Sequence, residues 1–127
     1  RMARTLGGRP VLVEARNRAL YHLAASLGAN GLTGLVAASR DALAGAGLAP
    51  PEALDALAPL LRSALEEALR RGPEASLTGP VARGDETTLE RHRRALLAWD
   101  ASRASLLEAL IREQRRLAGR SPGGTEC

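Results

Sequence analysis

Read by the spacing of its apolar positions, the chain is a succession of amphipathic helices. A long helical segment runs from Ala15 to about Ala46 and stops at Gly45 and Gly47. Pro50 and Pro51 open a second helix, with Glu52 and Asp55 near its start, where acids suit the helix dipole. Leu54, Leu57, Leu61, Leu65 and Leu69 hold one face of it, while Arg62, Glu66, Glu67 and Arg70 fall largely on another. Pro59 lies in its interior and predicts a kink; Gly72-Pro73 ends it. Asp85 reads as the N-cap of a third helix that runs to about Trp99, and Asp100 as the cap of a fourth from Ala101 to about Ala118. Between the second and third helices lies SLTGPVARGDETT (76–88), which reads as non-helical. Helix–helix connections need only about 2–8 residues, so this one is either loose or shaped for a purpose.

The N-terminal end breaks the pattern. Arg1 to Leu6 read as the end of a helix halted by Gly7-Gly8, and RPVLVE (9–14) then has the content and length of a short strand. Nothing else in the chain reads as a strand, and a lone strand cannot satisfy its backbone donors and acceptors. It is either an irregular arm or the last strand of a sheet encoded upstream. The first residue is Arg, not Met, which favours an excerpt from a longer protein. Accordingly, 1–14 is expected to close a preceding domain, 15–118 to form a helical domain, and the tail 119–127 to be disordered.

Composition strengthens the all-α expectation. The 127 residues include 23 Leu and 25 Ala but one Ile, one Tyr, one Trp and no Phe, so good helix formers dominate. The net charge of +4 is carried by 18 Arg without a single Lys. A basic excess is compatible with an anionic partner. Here the arginines are spread among 14 acids, and the Arg/Ala bias fits GC-rich coding, which argues against a nucleic-acid binder. The one cysteine, Cys127, excludes a disulfide framework or a cysteine metal cluster. No apolar run reaches the ~18–20 residues of a membrane span, and no signal-peptide core is present, so a cytoplasmic location is expected.

Candidate chemistry concentrates in two places. At 100° per residue, His22, Ser26 and Thr33 fall at about 0°, 40° and 20° on the first helix, with Asn30 near 80°, forming a polar stripe. Leu20, Leu23 and Leu27 lie at roughly 100–160°. Gly28, Gly31 and Gly34 surround the stripe, each costing about 1 kcal/mol of helix propensity relative to Ala, which suggests close approach by a helix or a ligand. The stripe is either an ordinary hydrogen-bonded helix face or the lining of a cleft with His22 as a proton donor. The second place is the 76–88 segment. His92, in LERHRR, reads as a surface residue; no phosphate-cradling loop, dinucleotide fingerprint or metal spacing is present.

The order LGGRPVLVE, ALYHLAASLGANGLTGLVAASRDAL, a Leu-rich helix with an internal proline, and RGPEASLTGPVARGDETTLERHRRAL resembles the C-terminal half of Rossmann-like oxidoreductases that carry domain of unknown function 2520. These are relatives of pyrroline-5-carboxylate reductase and 6-phosphogluconate dehydrogenase. The similarity spans roughly residues 5–118, and LTGPVARGD and the YH…N pairing carry it most specifically. It implies an all-α bundle like the 6-phosphogluconate dehydrogenase C-terminal domain, preceded by a Rossmann domain that would bind NAD or NADP. RPVLVE would then be the last strand of that sheet. The resemblance further implies that His22, Ser26, Asn30 and Thr33 line a substrate cleft from the helix. Thr78, Gly79, Arg83 and Asp85 would contribute from the loop, and the domain would form a homodimer. With no Lys in the chain, His22 is the proton donor to expect, with Asn30 beside it. SPGGT (121–125) looks like a substrate loop of the reductases, but only Glu126 and Cys127 follow, too few to build the helix such a loop precedes. Two other functions remain open: a helical dimerisation module without catalysis, and an Arg-rich nucleic-acid binder.

Overall fold

The computed structural model describes residues 12–119. After a 3-10 turn at Ala15–Asn17 come helix α1 (Arg18–Gly45) and helix α2 (Pro50–Arg71). Two single turns follow, α3 (Pro73–Ser76) and α4 (Pro80–Arg83), and then helix α5 (Glu86–Asp100). A second 3-10 turn at Ala101–Arg103 leads into α6 (Ala104–Leu117). The protein is all-α, and no described residue lies in a strand. The strand expected at 9–14 falls partly outside the described residues, and Leu12, Val13 and Glu14 within them take no regular structure. A strand needs a hydrogen-bonding neighbour, and none of the described residues supplies one. The helix end expected at Arg1–Leu6 and the tail beyond Gly119 also lie outside the described residues.

The four long helices begin and end within a few residues of where their punctuation placed them. Pro50 and Pro51 occupy the first turn of α2, and the Glu52 carboxylate accepts from the Ala49 backbone N–H at 3.3 Å. This is half of a capping box, since Ala49 has no side-chain acceptor to return. The helix runs continuously through Pro59. The expectation for 76–88 needs correction. That segment is not uniformly non-helical, because α4 forms in its middle and α5 begins at Glu86. Pro73 and Pro80 each stand at the first position of a one-turn helix, where the missing N–H is no loss.

Contacts divide the chain into two units, Arg1–Arg40 and Asp41–Cys127, with the boundary inside α1. In the second unit, Val81 of α4, Leu89 of α5 and Ile111 of α6 form a buried cluster, with Leu107 packed against it. These three elements touch one another pairwise. Two ion pairs tie α5 to α6 beside that cluster, Arg93 Nε to Glu108 Oε1 and Arg115 Nη2 to Glu86 Oε1, each at 2.6 Å. Ala53 of α2 is also fully buried.

The joint between α5 and α6 is held by Arg103. Its guanidinium pairs with Asp100 at 2.9 Å and with Asp41 of α1 at 2.8 Å, and lies 5.0 Å from the centre of the Trp99 ring. All three charged groups are about two-thirds covered, so these pairs are less screened than surface ones. The Trp99 ring rests on Gly45, the last residue of α1. A Cβ built there would lie 2.8 Å from Trp99 Cδ1, closer than real Cβ atoms come, and 3.1 Å from Cε2, tighter than most such contacts.

This packing makes a prediction against helix propensity. Alanine is favoured over glycine in a helix by about 1 kcal/mol, yet Gly45→Ala is expected to lower the unfolding midpoint and shift Trp99 fluorescence to the red. A raised midpoint with unchanged emission would show that Trp99 does not sit on Gly45.

Candidate functional site

The first-unit candidates lie on α1. Its residues 19–39 contain no Asp, Glu, Lys or Arg, so for more than five turns the helix presents only apolar, small or neutral polar groups. His22, Asn30 and Thr33 are exposed and Ser26 is half-buried. Asn30 Nδ2 donates to Ser26 Oγ at 3.2 Å, one turn back, so these two side chains are joined as the helical spacing required. The Thr33 hydroxyl donates to the Ala29 carbonyl at 3.1 Å, which commits its proton to the helix backbone. Above Gly28, Gly31 and Gly34 there is open space, with nothing within 4 Å of where a Cβ would stand. Leu20, Tyr21, Leu23 and Leu27 are all well exposed on the same stretch.

The second-unit candidates lie on the α4 turn and its flanks. Gly79 precedes α4 at φ +90° and Gly84 follows it at φ +68°, conformations that L side chains rarely adopt. The Gly84 N–H donates to the Val81 carbonyl at 3.1 Å and the Asp85 N–H to the Pro80 carbonyl at 2.8 Å. That pair of bonds is a Schellman closure, and it fixes the path of the chain into α5. Asp85 then caps α5, its carboxylate accepting from the Thr88 backbone N–H at 3.0 Å and from the Thr88 hydroxyl at 2.7 Å. Those bonds, the hydroxyl first, hold the Asp85 carboxyl below its ordinary value; desolvation opposes them less strongly than either bond, and the charges of Arg83 and Arg91 add weaker lowering effects. Thr78 and Arg83 are exposed. The segment is therefore a shaped turn with a buried anchor, Val81, and both oxygens of Asp85 are engaged in shaping it.

Each set of candidates is thus assembled within its own unit: His22, Ser26, Asn30 and Thr33 on α1, and Thr78, Gly79, Arg83 and Asp85 around α4. The basic run after Leu89 is drawn into local pairing, Arg93 with Glu108 and Arg94 with Glu90 at 3.2 Å. A recess of about 90 Å³ between α5 and α6 is lined by Arg93, Leu96, Leu97, Ala104, Leu107 and Glu108. It is far smaller than the roughly 300–1,000 Å³ of small-molecule sites. No group of His, Cys, Asp or Glu able to hold a metal occurs among the described residues. Reasoning from the sequence missed the Arg103 cluster. The Asp100-to-Arg103 spacing of three was visible on the chain, but Asp41 lies 62 residues away and gives no local signal.

Residues 1–114 match the model of a family described as a domain of unknown function, DUF2520. No curated protein and no solved structure shows a significant match.

The Asp85 cap has a definite pH signature. A carboxyl held low in the native state contributes stability that is complete above its usual value of 3.8 and lost as pH falls through the lowered one. Asp85→Ala is therefore expected to reduce the unfolding temperature at neutral pH, and the gap from wild type should close on the acid side of about pH 4. A gap that stays constant down to about pH 2 would show that the ionised cap contributes nothing.

Proposed function

The chain belongs to the DUF2520 family, and from that premise we propose that it is the helical substrate-cleft and dimerisation domain of an NAD(P)-dependent oxidoreductase. The observation that carries this reading is the uncharged, uncovered surface of α1. An exposed apolar helix in an aqueous protein marks a surface that another body covers. No helix among the described residues is long and apolar enough to cross a membrane. A preceding Rossmann domain and a second copy of the chain are the bodies the reading supplies. NAD or NADP would be held mainly by the preceding domain and would provide the hydride chemistry. His22 would donate a proton to the substrate, with Ser26, Asn30 and Thr33 beside it on the cleft wall. Thr78, Gly79, Arg83 and Asp85 would form a further wall, Arg83 offering an exposed charge and Asp85 the fold of the turn.

A non-catalytic pairing module is favoured by one specific observation: Thr33 and Asp85 are already engaged in holding local structure. The two readings separate on titration with NADPH and NADH of the longest protein that contains this chain. Binding of one of them is expected, and binding of neither leaves the pairing module. In the binding form, His22→Ala should lower turnover by roughly 10²-fold or more while leaving the unfolding temperature unchanged. A variant that unfolds, or that turns over at the wild-type rate, removes His22 from the chemistry.

A further inference from the structure

The exposed face of α1 has a symmetry of its own. At 100° per residue, Leu20, Leu23, Leu27, Gly31 and Gly34 all lie within about 40° of one direction. Measured from Leu27, Leu23 and Gly31 stand four residues away on either side, and Leu20 and Gly34 stand seven. The stripe is thus a palindrome in position and an antipalindrome in size, bulky toward the N-terminus and bare toward the C-terminus. Leu20, Leu23 and Leu27 are 66%, 50% and 67% exposed, and the space above Gly31 and Gly34 is empty.

We infer that a second copy of this chain packs antiparallel against this stripe, with its two-fold axis at Leu27. In that register Leu20 faces Gly34 of the second copy and Leu23 faces Gly31 of the second copy, so these two leucines enter the gaps that missing side chains leave, while Leu27 meets Leu27 of the second copy at the axis. A two-fold interface must be self-complementary, and this stripe has that property without any change of shape. A parallel pairing would set leucine on leucine and glycine on glycine, crowding one end and leaving voids at the other. Other bodies, including a preceding domain, have no reason to follow a palindromic spacing.

The pairing has a consequence for the candidate site. The polar stripe of His22, Ser26, Asn30 and Thr33 lies about 100° around the helix from the Leu/Gly stripe, hence perpendicular to the contact. A two-fold axis normal to the plane of two antiparallel helices leaves such a flank on the same side in both copies. The two stripes therefore form one continuous polar floor, with the two Ser26 residues beside the axis. His22 of one copy stands level with residue 32 of the other, and Asn30 with residue 24. A site built on this floor draws on both chains. The inference rests on the pairing half of the proposed function and is independent of whether a dinucleotide binds.

The test is the concentration dependence of mass by sedimentation. Wild type is expected to be dimeric. Gly31→Leu should weaken the dimer by roughly tenfold or more through overpacking against Leu23. Because leucine is a better helix former than glycine, circular dichroism should show helix retained or increased. The exchange Leu23→Ala with Gly31→Leu restores large-against-small pairing and should recover the dimer. In a Cys127→Ser background, Leu27→Cys should form an interchain disulfide on mild oxidation, and Leu32→Cys, on the far side of α1, should not. A monomer at every concentration overturns both the pairing and this interface. A dimer indifferent to Gly31→Leu, or cross-linking as readily through position 32 as through 27, overturns the interface alone.

Discussion

The contact among Val81, Leu89 and Ile111 is the constraint on which the second unit depends. Each side chain comes from a different element, and two of those elements, α5 and α6, could otherwise slide along each other. Val81 sits on a turn of only four residues, too short to persist by its own hydrogen bonds. The turn survives because the glycines on either side adopt positive φ, because Gly84 and Asp85 close it, and because Val81 is removed from water. Each burial of this size stabilises by about 1.5–3 kcal/mol, enough to decide the conformation of a turn though not of a domain. The exposed groups around Thr78 and Arg83 are thus presented on a scaffold fixed from below.

Around this small core the arginines act mostly as structural links. Arg93 and Arg115 join α5 to α6, and Arg103 joins their connection to Asp41. Arginine suits this use because its planar fork can serve two carboxylates, or a carboxylate and an aromatic face, at once. Arg103 does both, with Asp41, Asp100 and Trp99 as partners. A high pI is therefore a weak guide to an anionic partner in this protein, since many of its cations already have partners within the chain.

The apolar material follows the same division. Leucines of α2 that share one face are only partly covered, with Leu65 and Leu69 exposed, and those on the first half of α1 are exposed more broadly. Close packing of the described residues stays local, while a wide uncharged surface is left on α1. Such a wide apolar surface is the physical basis of the pairing proposed above.

Much of this was legible in the chain itself. Leu/Ala-rich composition and 3.6-residue periodicity determined that the protein is all-α, and Pro50, Gly72, Asp85 and Asp100 set the helix boundaries, because capping and backbone restriction act over three or four residues. The i to i+4 spacing put Ser26 and Asn30 on one polar stripe, where they hydrogen-bond. What the chain could not reveal was where separated residues come together. That Val81 is an anchor, that SLTGPVARGDETT contains a helical turn, and that Arg103 reaches Asp41 are outcomes of tertiary packing, which overrides the weak local preferences of a Gly- and Pro-rich stretch. The α1 stripe stands between the two. Its spacing was always in the sequence, but only the structure shows its leucines uncovered and its glycines facing open space, because exposure is a property of what surrounds a residue and not of its neighbours along the chain.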